Sequence, residues 1–274
     1  MLAFSHFTGM RFPHSLWLLS LGMLLVFGCG KQGAGQEQGS QNAAAASLEA
    51  NVPAASKEKG AWKLLFDGKT TAGWRGVNQE AFPEQGWEIA DGMLLVHATD
   101  GKESGNGGDI ITTEQYSDFE LEWEWKMLTK GGNSGLKYFV KEGLSGNKKY
   151  GAGLEYQILD DENFSWMREG KMKPGDYRTL ASLYEIYPAV NKQPKPLGEW
   201  NHSRIVVQGS HVEHWLNGIQ VLTYERGSDD FRKKVATSKF KEYEHFGEAT
   251  EGHILLQDHG SKMAFRNIRI KELE

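Results

Sequence analysis

The chain has 274 residues with a 39% hydrophobic fraction, and its 13 Phe, 9 Trp and 9 Tyr can supply the core of one large all-β domain or two small ones. The formal net charge is -5 and no long basic run occurs, which argues against nucleic acid, whose phosphates demand clustered Lys and Arg. Thirty-three Gly against 7 Pro suit a fold with many turns, and a single cysteine, Cys29, excludes an intrachain disulfide.

Residues 1–14 are weakly basic, and residues 15–27 form an apolar run too short for a comfortable membrane span. The run ends in Val26-Phe27-Gly28-Cys29. Residues 1–28 with Cys29 resemble a bacterial lipoprotein signal, whose cysteine is diacylated and becomes the new N-terminus, although Phe27 is bulkier than the small residue usual there. The resemblance implies lipidation at Cys29 and an extracytoplasmic protein anchored to a bacterial membrane, facing the periplasm or the cell surface. An ordinary cleaved signal, or a small apolar helix containing Cys29, is the alternative. Residues 29–59 are rich in Gly, Gln, Ala and Ser and lack aromatic residues, so they cannot bury enough surface to offset their ordering entropy. As a flexible tether of about 30 residues they would span roughly 30 Å root-mean-square.

The folded domain is expected over residues 60–274. Residues 62–66 read as a short strand closed by Asp67-Gly68, and Asp91-Gly92 joins two strands as a tight hairpin. Residues 100–108 form a Gly-rich loop without the strand-before, helix-after context of a phosphate loop. In residues 118–129, Phe119, Leu121, Trp123 and Trp125 alternate with Glu120, Glu122, Glu124 and Lys126, which places one face in a core and the other outside. Asn133-Ser134-Gly135 leads into the next strand.

Residues 153–161 read as a strand that breaks into acidic residues. Successive strand side chains point to opposite faces, so Glu155, Gln157 and Leu159 share one face and Leu154, Tyr156 and Ile158 the other. The stretch Ile254-Leu255-Leu256-Gln257-Asp258-His259-Gly260 repeats the idea, with Leu255, Gln257 and His259 on one face. If the two polar rows meet on one sheet, they make a cluster of carboxylate, amide and imidazole. Between them, residues 163–195 are mostly loop and carry Phe164, Trp166, Tyr177, Tyr184 and Tyr187; so long a connection suggests a binding-site lining. Asn217-Gly218 is the strongest hairpin signal and pairs Leu216 with Ile219 and His214 with Val221. His214 then lies among aliphatic residues as either a core or a site histidine, while Trp215 faces the other way. Residues 228–240 form the one plausible helix, with Ser228 as cap and Asp229 and Asp230 at its positive end. A dozen short strands, one short helix and Gly-rich turns predict an all-β, two-sheet jelly-roll sandwich.

The chain resembles the 3-keto-disaccharide hydrolase domain family, a concanavalin- or laminin-G-like jelly roll common in bacterial lipoproteins. The resemblance rests on Leu65-Phe66-Asp67-Gly68-Lys69 with Gly73-Trp74, on Gly108-Asp109-Ile110 and on Asp118-Phe119-Glu120-Leu121. It continues through Asn133-Ser134-Gly135, Glu155-Tyr156-Gln157-Ile158-Leu159-Asp160, Leu183-Tyr184 and Glu199-Trp200-Asn201. His214-Trp215-Leu216-Asn217-Gly218, Gln257-Asp258-His259-Gly260 and Phe265-Arg266-Asn267-Ile268 complete it. Lys137 and Tyr138 depart from the aromatic residue and arginine that the family tends to place there.

The resemblance implies cleavage of glycosides whose sugar is a ketone at carbon 3. That ketone acidifies the hydrogen on carbon 2, so a base can remove it and expel the glycosidic oxygen at carbon 1. Water then adds to the enone. Histidine, with an ordinary pKa of about 6.5, is the natural base. His259 is the first choice, with Glu155 orienting it or acting as the acid. Gln157, Gln257, Lys137 and Asn133 are candidates for binding sugar hydroxyls or the ketone oxygen, and Tyr184, Trp215 and His214 for packing against the substrate. No cofactor is firmly implied. A divalent metal is left open, because Glu, Asp and His are suitable donors, although no compact spacing such as His-x-x-x-His occurs. The ketone would have to come from a separate sugar 3-dehydrogenase, since nothing here binds a redox cofactor. A carbohydrate-binding module and a conventional two-carboxylate glycosidase are the competing readings.

Overall fold

The computed structural model describes residues 60–143 and 151–274. The leader, Cys29 and the tether expected over residues 1–59 lie outside the described residues. In chain order the strands begin with β1 (Trp62–Leu64), β2 (Trp74–Gly76), β3 (Trp87–Ala90), β4 (Met93–Val96) and β5 (Ile110–Thr112). The long strands β6 (Phe119–Met127), β7 (Asn133–Lys141) and β8 (Ala152–Leu159) follow, then the short helix α1 (Ser165–Arg168). The chain continues through β9 (Asn201–Gln208), β10 (His211–Leu216), β11 (Ile219–Glu225), helix α2 (Asp229–Thr237), β12 (His253–Leu256) and β13 (Met263–Glu272).

These strands form two antiparallel sheets, as the jelly-roll expectation required. The larger runs β11-β10-β9-β6-β13-β4-β3, with β1 also paired to β13, and the smaller runs β2-β5-β12-β7-β8. Strand β6 shows the reason most clearly: its nine residues alternate strictly between buried and half-buried. Phe119, Leu121, Trp123 and Trp125 point between the sheets, where Trp123 meets Tyr156 of β8 edge-on at 5.0 Å. Glu120, Glu122 and Glu124 point outward and pair with Arg204, Arg269 and Arg266 from neighbouring strands. That row of acids is a cross-strand charge ladder on the outside of the larger sheet.

The tight turns follow their residues. Asn217 and Gly218 both have positive φ, 49° and 83°, as a right-twisted two-residue hairpin needs. Helix α2 starts where Ser228 accepts the Phe231 N–H, and Phe231 and Val235, four apart, are its buried residues. A second helix, α1, was not expected. It is a single turn with no side-chain cap and no buried residue, so it leaves no periodic trace in the sequence. The three-residue strands β2 and β5 escaped notice for the same reason, being too short to show a period.

The long connection after β8 is an edge cover. Ala181 and Tyr184 donate backbone N–H groups to Gln157 and Glu155, and Gln157 donates to Ser182. Residues 181–184 therefore satisfy the free edge of β8, which would otherwise stand open to pairing. Among the described residues no helix is long and apolar enough to cross a membrane.

Candidate active site

On the face of the smaller sheet turned away from the core, Lys137 of β7 lies in register with Glu155 of β8 on one side and Leu255 of β12 on the other. Two residues earlier, Gly135 stands opposite Gln157 and accepts the Gln257 backbone N–H. The two polar rows thus meet across β7. They do so because Gly135 has no side chain: a Cβ there would sit 2.9 Å from Glu155 Oε1 and 3.2 Å from Gln257 Oε1.

A cavity of about 460 Å³ opens above this floor. It gathers Lys137, Glu155, Gln157, Gln257, His259, Asn133 and Tyr184, seven residues singled out from the sequence. It also holds four that were missed: Glu103, Lys239, Phe240 and Tyr243. Glu103 comes from the Gly-rich loop of residues 100–108. That loop is tied to the strap after β12, since Asp258 Oδ2 accepts the Gly108 N–H and Ser104 donates its N–H to the Asp258 carbonyl. As a result Glu103 Oε2 lies 3.9 Å from His259 Nε2, and Gln257 Nε2 donates to Glu103 Oε1 at 3.4 Å. The carboxylate recorded beside His259 is therefore Glu103, whereas Glu155 stands beside Lys137, 3.9 Å from its Nζ. One of two acids in a glycine-rich loop was the only trace of Glu103 in the sequence.

Three side-chain amides bring acceptor atoms to the site. Gln157 Oε1, Gln257 Oε1 and Asn133 Oδ1 are buried without a hydrogen-bond partner among the described residues. Buried acceptors left unpaired cost free energy, so they point to a ligand with hydroxyl donors. Aromatic cover comes from Tyr184 and from Phe240 and Tyr243 in the segment after α2. Burial holds the Tyr184 hydroxyl in its neutral form, well above the usual range, with Glu155 adding to the effect. The other rings of residues 163–195 serve elsewhere. Tyr187 stacks on Tyr224 at 5.4 Å, and Trp166 and Tyr177 flank Arg178 at the surface.

His214 and Trp215 do not belong to this site. Both lie on β10, in the other sheet. A register shift between them pairs His214 with Leu222 rather than Val221. His214 faces the core, where its Nε2 meets Tyr138 Oη at 2.8 Å and its Nδ1 meets the Ala181 carbonyl at 2.8 Å. Trp215 faces outward, its ring covered by Arg204 at 4.2 Å and its Nε1 donating to Glu213. The alternation of β10 offered only these two directions, and the cavity lies on neither.

Among the described residues no three His, Cys, Asp or Glu side chains gather as a metal-ligand set. The ionisable groups of the cavity stand beside ammonium, amide and imidazole groups instead.

Residues 61–271 match the family described as 3-keto-alpha-glucoside-1,2-lyase-like domain. The chain belongs to this family. It is 36% identical over 271 residues to a Bacteroides thetaiotaomicron protein named 3-keto-disaccharide hydrolase, covering 89% of this chain and 92% of that one. A crystal structure from Parabacteroides distasonis, provisionally named a glycosyl hydrolase, superimposes with a TM-score of 0.67 at 35% identity, over 78% of this chain and 94% of that one. A second structure from the same organism, with the same provisional name, gives a TM-score of 0.58 at 30% identity, over 78% and 100%.

Proposed function

We propose that this protein cleaves 3-keto-glycosides or 3-keto-disaccharides by eliminating the glycosidic oxygen and then adding water. Family membership and the curated relative support carbohydrate hydrolase activity. The observation that carries the finer reading is the pairing of groups in one cavity: an imidazole beside a carboxylate, His259 with Glu103, and an ammonium beside a carboxylate, Lys137 with Glu155.

Each group has a task in that reaction. His259 takes the proton from carbon 2, with Glu103 fixing the ring and stabilising its charged form. The electron pair moves toward the ketone oxygen, where the Lys137 ammonium stabilises the growing negative charge. The bond from carbon 1 to the glycosidic oxygen breaks, the proton that His259 took from carbon 2 passes to the leaving oxygen, and the Glu155 carboxylate holds the Lys137 ammonium in place. Water then adds across the enone, its hydroxyl to carbon 1 and its proton to carbon 2, to give the free 3-keto sugar. Gln157, Gln257 and Asn133 accept hydrogen bonds from sugar hydroxyls, and Tyr184, Phe240 and Tyr243 pack against the rings.

The lipoprotein-like signal of residues 1–28 with Cys29 supports an extracytoplasmic protein anchored through a lipid on Cys29, and a separate sugar 3-dehydrogenase would supply the ketone. The deciding experiment incubates the purified protein with matched glucosides that differ only in the 3-ketone. Aglycone release from the keto form alone is expected. Release from the ordinary glucoside would favour a conventional glycosidase, and release from neither a binding module.

A further inference from the structure

A buried carboxyl group lies beside Lys137, outside the cavity lining and unused by the chemistry above. Asp109 precedes β5, and its side chain is 0% exposed. Its Oδ1 accepts the Asp258 backbone N–H at 2.9 Å. Its Oδ2 has no hydrogen-bond partner among the described residues and stands 3.8 Å from Lys137 Nζ. Lys137 Nζ is in turn 3.9 Å from Glu155 Oε2. One ammonium is thus shared by two carboxyl groups, one buried outside the cavity lining and one in the cavity.

Three ionised carboxylates, Asp109, Glu155 and Glu103, against the two ammonium groups of Lys137 and Lys239 leave a net negative charge in a region of low polarity. Such a site lowers its energy by keeping one carboxyl protonated. Burial lifts the Asp109 carboxyl to about 7, against the pull of Lys137 and the Asp258 N–H, while Glu103 and Glu155 add to the rise. The charged groups facing Asp109 are Lys137 from β7, Glu155 from β8 and Glu103 from the 100–108 loop. The nearby Asp258 carboxylate is occupied by the Gly108 and Gly260 N–H groups.

We propose that Asp109 is a positioning residue whose protonation state decides where the Lys137 charge acts: neutral Asp109 leaves the ammonium to Glu155 and the substrate's ketone oxygen, and ionised Asp109 draws it toward β5. The catalytic half of this inference rests on the proposed function. It makes the reaction slow as Asp109 ionises, and it makes an uncharged replacement at this position permissive.

The test is Asp109→Asn, which keeps the shape and an oxygen for the Asp258 N–H. In the wild type, kcat/KM on a 3-keto-glucoside should fall up to tenfold per pH unit above about 7. Asp109→Asn should hold its plateau through that range. A folded Asp109→Asn variant that follows the wild-type decline, or is inactive at every pH, overturns the proposal.

A ligand-free measurement separates this idea from the reading of function. The Asp109 side-chain carbon is followed by NMR against pH in the wild type and in Lys137→Met. A midpoint near neutrality that climbs further in Lys137→Met supports the proposal even if no 3-keto sugar is cleaved. A midpoint in the ordinary carboxylate range, or one that ignores Lys137, overturns it even if the enzyme is active.

Discussion

Lys137 and Glu155 occupy opposed positions on β7 and β8, yet their charged atoms stop 3.9 Å apart. A charge-assisted hydrogen bond between such partners closes to about 2.7–2.9 Å. Here the Glu155 carboxylate leans over Gly135, and the space of a missing side chain accommodates it. The ammonium thus stands between two carboxyl groups at the cavity lining.

Lys137→Met should test what that charge does in the reaction. The loss of the ammonium removes the stabilisation of a developing enolate, a change that costs about 10²–10³ in kcat where a comparable oxyanion donor is removed. Steady-state aglycone release from a 3-keto-glucoside reads the effect. A change of less than threefold would take Lys137 out of the chemistry.

Gly135→Ala should damage activity more than the fold. Gly135 is not among the positive-φ residues, so its backbone admits alanine. The new Cβ would displace Glu155 Oε1 and Gln257 Oε1, both at the ends of flexible side chains. A misplacement of about 1 Å can cost 10²-fold in rate, while stability should move by about 1 kcal/mol or less. Parallel measurement of kcat/KM and thermal unfolding separates the two, and a large loss of stability with unaltered kcat/KM would contradict the expectation.

His259→Ala and Glu103→Gln should differ in degree. Removing the imidazole should abolish turnover on the keto substrate with the fold intact. Neutralising Glu103, 3.9 Å from the ring, should lower kcat by about tenfold, because it weakens the orientation of the base without deleting it. Unchanged activity in His259→Ala would remove that residue from the mechanism.

His214 should govern part of the acid sensitivity of the fold. Burial depresses its pKa to about 4 from 6.5, opposed by the Ala181 carbonyl. Above pH 6.5 both folded and unfolded states are neutral at this site. Between 6.5 and 4 only the unfolded state takes the proton, so stability falls by up to roughly 3 kcal/mol as the pH drops through that window. His214→Gln should be less stable at pH 7, and its deficit should shrink toward pH 4 in denaturant unfolding. Parallel curves for the two proteins would rule out this origin.

Trp215→Ala should leave kcat/KM within about twofold of wild type. Its ring lies on the outer face of the larger sheet, and the lost contact with Arg204 is worth about 0.5–1 kcal/mol of stability. A strong catalytic defect would mean that Trp215 reaches the substrate.

Much of the fold was legible because strand periodicity and turn chemistry are local. The alternation of β6 set its inner and outer faces, Asn217-Gly218 set its hairpin, and Ser228 set the start of α2. The same rule found Glu155 with Gln157 and Gln257 with His259 as polar rows. It could not orient His214 and Trp215 toward a site, because alternation defines two faces of a strand and not what covers them.

The sequence by itself determined the sandwich, the two polar rows and the membership that their order implies. Only the tertiary structure decided that His259 meets Glu103, that Lys137 lies between Glu155 and the buried Asp109, and that Phe240 and Tyr243 close the cavity. The physical reason is separation along the chain. Gln257 and Glu103 are 154 residues apart, and only the closure of the intervening loops and the register of β12 against β7 bring them together.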